Sequence, residues 1–173
     1  MSEDTILFAK LKGDAKIPSK SKENAGYDIY PCFEEDGLVI LPGETKLVPT
    51  GIGSVIPEGY YMQIQERGSS GSKGIKYSAG VIDSSYRGEW FLATTNTNNV
   101  PVVILRKGCV SDLESYIDGV LKDALIIYPY EKALFQAVLH SVHNEIGVKE
   151  ISKRKFATFK SERGDGKLGS SGK

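Results

Sequence analysis

The sequence of 173 residues has few of the features that mark membrane, secreted or nucleic-acid-binding proteins. No apolar run approaches the roughly 18 residues that a membrane span needs, and the acidic start Met1–Asp4 lacks the cationic region of a signal peptide. With 22 basic and 22 acidic residues the formal net charge is zero, which argues against nucleic-acid binding through bulk charge. Cys32 and Cys109 are too few for a disulfide framework and are typical of thiols in a reducing cytosol. We therefore expect a cytoplasmic protein without membrane or nucleic-acid partners.

Histidine and tryptophan are also scarce, with two histidines and one tryptophan in the chain. His140 and His143 form an H-x-x-H pair, but a zinc site needs further ligands that the neighbouring sequence does not provide. Trp90 is expected to pack in a core rather than to stack on a ligand. The sequence therefore does not predict a metal held by a ligand cluster of its own.

Glycine is abundant, at 19 residues, and turn-forming segments separate short apolar runs in the first hundred residues. The runs are Ile6–Ala9, Leu38–Leu41, Lys46–Val48 and the alternating Tyr61–Gln65. Short strands at this spacing predict a β-sandwich, jelly roll or barrel. The length is that of one domain, with or without an insertion.

One helix is predicted inside this β-rich chain. Ser111 and Glu114 form a capping box, and the apolar residues that follow recur with helical spacing. The pattern indicates a helix at about residues 112–124, within an insertion at about residues 95–128.

Three segments near the C-terminus carry further expectations. Glu131–Leu139 consists of good helix formers, but periodicity does not distinguish a helix from a buried strand here. Lys155–Phe159 alternates and is expected to be the last strand. Residues 161–173 are polar and rich in Gly and Ser, which is typical of a mobile arm.

The segment Glu66–Ile75 is the densest in groups that bind anions. Between Arg67 and Gly74 it has two cations, Arg67 and Lys73, together with three serines and three glycines. Oxyanions need N–H and O–H donors, close backbone approach and counter-charge, and this segment supplies all of them. The alternative is a flexible polar loop.

A carboxylate follows this segment in a second glycine-bounded stretch. Asp83 comes directly after the apolar triplet Gly80–Ile82, and Tyr86 lies three residues further on. A carboxylate at a strand end beside an anion-binding loop can orient and deprotonate a water molecule. The alternative is an ordinary Asp-Ser-Ser-Tyr turn.

The C-terminal stretch Arg163–Gly172 matches the dinucleotide fingerprint by letter only, because it does not open a helix within a βαβ unit. It can still wrap phosphates with backbone N–H groups, hydroxyls and Arg163. The alternative is a disordered Gly/Ser tail.

Five segments in chain order resemble the motifs of the trimeric, all-β dUTPase family. They are Ala25–Ile29, Arg67–Ile75, Gly80–Gly88, Ala133–Gln136 and Arg163–Gly172. The resemblance implies a mainly β fold, a jelly-roll or β-clip barrel with one helix in an insertion and a mobile C-terminal arm. It divides the chain into a β domain, 1–160, and an arm, 161–173. It also implies that Ala133–Leu139 is a strand.

The resemblance implies hydrolysis of dUTP to dUMP and pyrophosphate. Asp83 is then the carboxylate that activates water for attack at the α-phosphorus. Tyr86 packs on the deoxyribose and excludes a 2′-hydroxyl. The backbone at Gly80, Val81 and Ile82 reads the uracil edge.

The resemblance also implies Mg²⁺, bound mainly by the triphosphate, with Asp28 near the metal through water. It implies a homotrimer whose C-terminal arms reach a neighbouring subunit. A set of residues from the body and the arm is expected to contact the nucleotide or to support the loop that does. These residues are Arg67, Ser69, Ser70, Lys73, Gln136, Arg163, Leu168, Gly169, Ser170 and Ser171.

Three positions depart from the family pattern. Gly68 stands where the family usually has serine, so the hydroxyl must come from Ser69 or Ser70. Leu168 stands where an aromatic usually stacks on uracil, and Ala133 stands where the fourth motif usually has arginine.

Two other functions stay open at this point. A dCTP deaminase is the alternative enzyme, although Asp83, Tyr86, Arg87 and Gly88 form the pattern for attack of water on phosphorus. The other is a nucleotide-binding regulator, because some phage dUTPases resemble this chain in having an extra segment and bind repressor proteins. A surface decoration is the simpler interpretation of the insertion.

Overall fold

Short strands make up most of the chain that the structure, a computed structural model, describes: residues 5–109 and 125–161. The strands are β1 Leu7–Lys10, β2 Gly26–Ile29, β3 Gly37–Ile40, β4 Thr45–Pro49, β5 Ile52–Val55, β6 Tyr60–Glu66, β7 Ile75–Tyr77, β8 Val81–Asp83, β9 Phe91–Asn96, β10 Val102–Leu105, β11 Ile126–Pro129 and β12 Phe135–Ser141. The helices are α1 Gly68–Gly71 and α2 Lys153–Phe156. The predicted mainly β fold is confirmed.

The strands form four small sheets. Their strand orders are β1-β5, β11-β10-β3, β2-β12-β6-β8 and β4-β9-β7. The pair β10-β11 is parallel, and the other named pairs are antiparallel. The four-stranded sheet positions the candidate site. Its strand β6 leads into the motif Arg67–Ile75, β8 lies within the motif Gly80–Gly88, and β12 includes Gln136 of the fourth motif.

The core is built from apolar side chains that these sheets turn inward. Trp90 is 1% exposed, packs its ring edge-on against Phe8, and donates its indole N–H to Ser54 Oγ at 3.1 Å. The polar handle of this large aromatic is thus satisfied inside the core. The expectation that Trp90 is a packing residue agrees with this environment.

Strand β12 forms against its local helix propensity. It pairs with β2 on one side and β6 on the other, and its Phe135 and Ala137 are fully buried. Tertiary pairing therefore decides a segment whose local signal is ambiguous. The strand expected at Ala133–Leu139 is confirmed, with bounds two residues later.

The prediction of a strand at Lys155–Phe159 is wrong. The chain forms the one-turn helix α2, and the Ser152 hydroxyl caps it by accepting the Lys155 N–H at 3.2 Å. A five-residue alternation is too short to outweigh a serine N-cap followed by residues that tolerate helix.

Two expectations fall outside the described residues. The helix at about 112–124 lies within residues 110–124, and the arm motif Arg163–Gly172 lies within residues 162–173.

Contacts group the chain into one unit at Met1–Val142 and another at His143–Lys173. The predicted boundary at residue 160 stays a prediction. No helix in the part of the chain described here is long and apolar enough to cross a membrane.

Candidate nucleotide site

Strand β8 displays Asp83 on an exposed face. In the antiparallel pairing with β6, Asp83 lies opposite Tyr61 and Val81 opposite Gln63. Alternation along the strand turns Val81 and Asp83 to the same side, while Ile82 packs against the core. Asp83 is therefore held by a sheet and open to solvent.

A cavity of about 480 Å³ adjoins this strand and is lined by Tyr77, Gly80, Val81, Asp83, Tyr86 and Phe91, among others. The Tyr86 phenol donates to the Glu89 carbonyl at 2.9 Å. Gly88 permits this placement, because a Cβ there would lie 2.4 Å from the phenol oxygen. The turn after β8 thus holds the Tyr86 ring beside the catalytic candidate.

The backbone of β8 has hydrogen-bonding groups on its open side, since β8 is an edge strand of its sheet. The Gly80 carbonyl accepts the Ile64 N–H at 2.7 Å, so the backbone of Gly80 faces β6. Because facing and outward residues alternate in an antiparallel ladder, Ile82 also faces β6 and Val81 faces outward. Of the three residues expected to read a base edge, Val81 has the outward N–H and C=O.

The second motif forms the one-turn helix α1, with Arg67 at its N-cap. Ser70 is fully buried, and its hydroxyl donates to the Arg67 carbonyl at 3.2 Å while accepting the Arg67 N–H at 3.2 Å. Ser69 instead lines an open cavity. Of the two serines expected to replace the hydroxyl missing at Gly68, only Ser69 reaches this cavity, because Ser70 closes the turn.

The Arg67 guanidinium is held by partners from three parts of the chain. Its Nε lies 2.9 Å from Asp28 Oδ1, and its Nη2 donates to Asp28 Oδ2 at 3.2 Å. Its Nη1 donates to Ser69 Oγ at 3.4 Å and to the Ala133 carbonyl at 3.3 Å. A two-point arginine–carboxylate pair of this kind fixes orientation as well as charge.

The cavity beside Arg67 has a volume of about 600 Å³ and is polar. Its lining includes Glu23, Asp28, Arg67, Ser69, Lys132 and Gln136. Gln136 donates to the Glu66 carbonyl at 2.8 Å, and its side chain passes so close to Gly26 that a Cβ there would lie 2.4 Å from Oε1. The first, second and fourth motifs therefore meet at this cavity.

The structure places Lys132, rather than the predicted Lys73, in the lining of this cavity. Lys73 is exposed, donates to the Ile127 carbonyl at 3.4 Å, and lies outside the lining of the cavity. Lys132, which sequence reasoning missed, lines the cavity and lies 5.9 Å from the Tyr128 ring centre. Its position directly before Ala133 is the signal that could have identified it as the nearby cation.

The two cavities share no lining residue. Asp83 lies opposite Tyr61, whereas Arg67 follows the end of β6, six residues further along the strand. At about 3.3 Å per residue, the two side chains are separated by about 20 Å along the sheet. A single chain thus displays the carboxylate and the anion-binding residues at different places.

Asp28 fits a metal only in an indirect role. Both of its oxygens face the Arg67 guanidinium, and each keeps lone pairs that can accept a hydrogen bond from water. Within residues 5–109 and 125–161 there is no group of three or more His, Cys, Asp or Glu side chains that could hold a metal ion. The residues suit a hydrated Mg²⁺ held mainly by a ligand of its own.

The arm residues of the expected site lie outside the described residues. They are Arg163, Leu168, Gly169, Ser170 and Ser171, and their role stays a prediction.

Comparison with known proteins identifies relatives of this chain. The dUTPase family model matches residues 14–113. The deoxyuridine 5′-triphosphate nucleotidohydrolase of Leptospira interrogans serogroup Icterohaemorrhagiae serovar copenhageni is 37% identical over 103 residues, which cover 57% of this chain and 70% of that protein. The enzyme of the same name from Chlamydia felis is 33% identical over 132 residues, which cover 74% of this chain and 88% of that protein.

Solved structures of phage dUTPases share the fold. A Staphylococcus bacteriophage 80alpha dUTPase mutant with dUpNHpp has a TM-score of 0.71 at 21% identity, covering 98% of this chain and 99% of that chain. The dUTPase from phage phi11 of S. aureus, described with a species-specific insert, has a TM-score of 0.65 at 21% identity, covering 86% and 97%. A mutant of the phi11 enzyme is described with a structural Mg(II) ion.

These likenesses confirm the dUTPase-type jelly-roll class of the fold. Because the family match spans more than half of the chain and the Chlamydia protein is aligned over most of its length, this chain belongs to the dUTPase family.

Proposed function

We propose that this protein hydrolyses dUTP to dUMP and pyrophosphate. The observation that carries the proposal is the exposed Asp83 at the end of β8, beside the Tyr86 ring and the outward backbone of Val81. In a family member this arrangement supplies a water-activating carboxylate, a sugar platform and a base-reading edge on β8 and the turn that follows it.

In the proposed mechanism, an Asp83 carboxylate oxygen accepts a proton from a water molecule as that water attacks the α-phosphorus. A new phosphorus–oxygen bond forms, the bridge between the α- and β-phosphates breaks, and pyrophosphate leaves with the electron pair. Asp83 is exposed, so the proton it accepts can return to solvent. Such a reaction depends mainly on positioning and charge neutralisation.

Strand β8 and the turn after it also support recognition of the nucleoside. The Val81 N–H and C=O form a donor–acceptor pair that complements the edge of uracil, with less support from the backbone of Gly80 and Ile82, which faces β6. The Tyr86 ring, fixed through Glu89, packs on deoxyribose and leaves no room for a 2′-hydroxyl.

The other cavity is the proposed phosphate end. Arg67, Ser69, Lys132 and Gln136 line it, and Lys73, which lies outside the lining, adds a weaker electrostatic contribution. Arg163, Gly169, Ser170 and Ser171 close over the phosphates, and Leu168 covers the uracil face in place of an aromatic. The Ser70 side chain has no direct role, because the turn occupies it.

Mg²⁺ is the proposed cofactor, and it neutralises charge on the triphosphate when bound. Within the phosphate cavity, Arg67 and Lys132 are opposed by Asp28 and Glu23, so the lining is formally neutral. The cavity therefore cannot by itself balance a triphosphate, and Asp28 is placed to accept a hydrogen bond from metal-bound water.

We propose that the protein is a homotrimer with exchanged C-terminal arms. The α- and γ-phosphates are separated by only two phosphoanhydride bridges, whereas Asp83 and Arg67 of one chain lie about 20 Å apart along the sheet. One nucleotide can contact both groups when they come from different copies. The separation of the two cavities supports this arrangement.

We also infer that the protein works inside the cell, where its nucleotide substrate is found. Cys32 suits a reducing compartment as an inert thiol, because burial, followed by the Asp14 carboxylate 3.1 Å away, raises its pKa to about 11.

A second candidate role is recognition of a protein partner through the insertion. The likeness to a phage dUTPase described with a species-specific insert favours it. Residues 110–124 can be replaced by a linker of about eight Gly and Ser residues. With the flanking residues that remain, this linker is long enough to connect the end of β10 to the start of its parallel partner β11. The variant should retain dUTP turnover and lose any partner that the full chain binds; unchanged partner binding would exclude the insertion as the contact.

The test of the proposed activity is pyrophosphate release with Mg²⁺ from dUTP, dTTP, dCTP and UTP in parallel. We expect release from dUTP alone. Asp83→Asn should reduce turnover by about a factor of 10³ or more while dUTP binding persists, because a general base is lost and the cavities are unchanged. Asp36→Asn, at an exposed turn, is the matched control. Turnover retained in Asp83→Asn would exclude the mechanism, and ammonia release from dCTP would identify a deaminase.

A further inference from the structure

A buried tyrosine lies directly behind the proposed phosphate cavity. Tyr128 of β11 is fully buried, and its phenol donates to the Ala133 carbonyl at 2.6 Å. The same phenol oxygen lies 3.2 Å from Ser69 Oγ. Because the single phenol proton is directed at Ala133, the Ser69 hydroxyl is the donor in the second bond.

Both partners of Tyr128 are also partners of Arg67. Nη1 of Arg67 donates to Ser69 Oγ and to the Ala133 carbonyl, so the phenol connects the two acceptors that hold this end of the guanidinium. Asp28 holds the opposite end through Nε and Nη2. Four of the five N–H donors of Arg67 are thereby committed, and one on Nη2 remains for a ligand.

Strand β11 contacts the same loop through Ile127, the residue before Tyr128. The Ile127 carbonyl accepts a hydrogen bond from Lys73 at 3.4 Å, and Lys73 follows α1 in the chain whereas Arg67 precedes it. The loop that contains Ser69 therefore contacts β11 at two residues, Ser69 and Lys73. Strand β11 is itself paired with β10, whose residues Val102–Leu105 are all apolar and buried.

We propose that Tyr128 is a positioning residue for the phosphate end of the site. It fixes the Ser69 hydroxyl and the Ala133 carbonyl, and through them the direction in which Arg67 presents its charge. The assignment rests on the proposed function, because it takes the Arg67 cavity as the place where the triphosphate binds. It also explains how a chain with Gly68 and Ala133 keeps its remaining arginine in place.

Binding measurements test this assignment separately from turnover. Tyr128→Phe keeps the aromatic ring in the core and removes only the phenol. By calorimetry, we expect its affinity for dUpNHpp and for inorganic tripolyphosphate to fall by about three- to tenfold, the range of one lost hydrogen bond. Its affinity for dUMP should be unchanged, because dUMP lacks the β- and γ-phosphates.

Tyr130→Phe is the matched control. Tyr130 is 8% exposed, and its phenol accepts a hydrogen bond from Arg106 Nη2 at 3.2 Å, outside both cavities. Its loss should leave all three affinities unchanged. Equal losses in Tyr128→Phe and Tyr130→Phe, or a loss of dUMP affinity in Tyr128→Phe, would mean that the phenol acts through general stability, and the assignment would be wrong.

Ser69→Ala completes a double-mutant cycle. If Tyr128 acts through Ser69, the double variant should bind dUpNHpp about as well as Ser69→Ala alone, because the two side chains form one unit. Losses that multiply would contradict the assignment. If Tyr128→Phe unfolds, the Ser69→Ala variant still tests the assignment. Unchanged dUpNHpp affinity in Ser69→Ala would show that Tyr128 does not act through Ser69. Retained tripolyphosphate binding without dUTP hydrolysis would reject the proposed function alone.

Discussion

Arg67 shows how strongly the proposed phosphate end depends on the contacts of one side chain. Its guanidinium is shared among Asp28 of β2, Ser69 of α1 and the Ala133 carbonyl before β12. A side chain that is already ordered loses little rotamer freedom when a ligand arrives. Because the Asp28 carboxylate already pairs with this guanidinium, further positive charge toward a triphosphate must come from a neighbouring residue.

Lys132 is that neighbour, and its replacement is the first prediction at this scale. Lys132→Met keeps the length of the side chain and removes one of the two cations lining the cavity. We expect KM for dUTP to rise about three- to tenfold at low ionic strength, with kcat almost unchanged, because the charge attracts the triphosphate in the ground and transition states alike.

The salt dependence separates this effect from a change in shape. The difference between wild type and Lys132→Met should shrink between about 50 mM and about 300 mM NaCl, as screening increases. Lys10→Met, in β1 and outside both cavities, is the control. A KM difference that is independent of salt would argue against an electrostatic role for Lys132.

Single residues also show where sequence reasoning reaches its limit. Motif spacing predicts Asp83, Tyr86 and Arg67 as site residues, because each stands at a recognisable position within its own motif. It does not identify Tyr128, which is apolar in pattern and acts through contacts 59 residues from Ser69. Nor does it separate Ser69 from Ser70, because only the turn geometry of α1 buries one of them.

At the level of elements, two segments fold against their local sequence signal, each for a physical reason. Strand β12 has β2 and β6 on its two sides, so sheet pairing overrides its helix propensity. Residues 153–156 follow a serine cap, and a local hydrogen bond decides for helix. Sequence periodicity carries no information on which strands will lie beside a segment or on how strongly a residue caps a helix. Periodicity alone therefore could not predict the strand β12 and the helix α2.

The link between β6 and β7 gives a prediction at this scale. The Glu66 carboxylate accepts the Tyr77 N–H at 3.0 Å, and this bond lowers the pKa of Glu66 below its usual value of 4.5. The bond therefore contributes stability above about pH 4.5, and the contribution is lost as the pH falls through the lowered pKa. Since Glu66 also supplies the carbonyl that Gln136 contacts, the bond helps to anchor the motif-bearing end of β6.

Glu66→Gln should be less stable than wild type at neutral pH and should lose less stability on acidification. The measurement is the midpoint of thermal unfolding between about pH 6 and about pH 3, where the curves of the two proteins should converge. Some acid sensitivity will remain, because hydrogen bonds also lower the pKa of Asp14 and Glu131. Glu58→Gln, in an exposed turn, should follow wild type throughout. Parallel curves for Glu66→Gln and wild type would show that this bond contributes no pH-dependent stability.

At the level of the whole molecule, the two cavities define what one copy lacks. One cavity has Asp83, the proposed water-activating carboxylate, and the strand proposed to read the nucleoside, and the other has Arg67, but the two cavities share no lining residue. In a closed ring of identical subunits, every interface is the same, so bringing Asp83 of one copy to Arg67 of the next completes every site at once. The distance along β6 between Asp83 and Arg67 is thus the physical argument for the proposed trimer.

Mixed assemblies test this directly. Asp83→Asn and Arg67→Ala should each be inactive alone, and their stabilities should be compared by thermal unfolding before mixing. After dissociation and reassembly of a 1:1 mixture, a site built between copies is intact when Asp83 comes from one variant and Arg67 from the other. Random assembly then restores about one quarter of wild-type turnover, since each of the two choices is correct half of the time. Mixing Asp83→Asn with itself is the control and should remain inactive. If each site is completed within one chain, the 1:1 mixture stays as inactive as its components, because neither chain has both side chains.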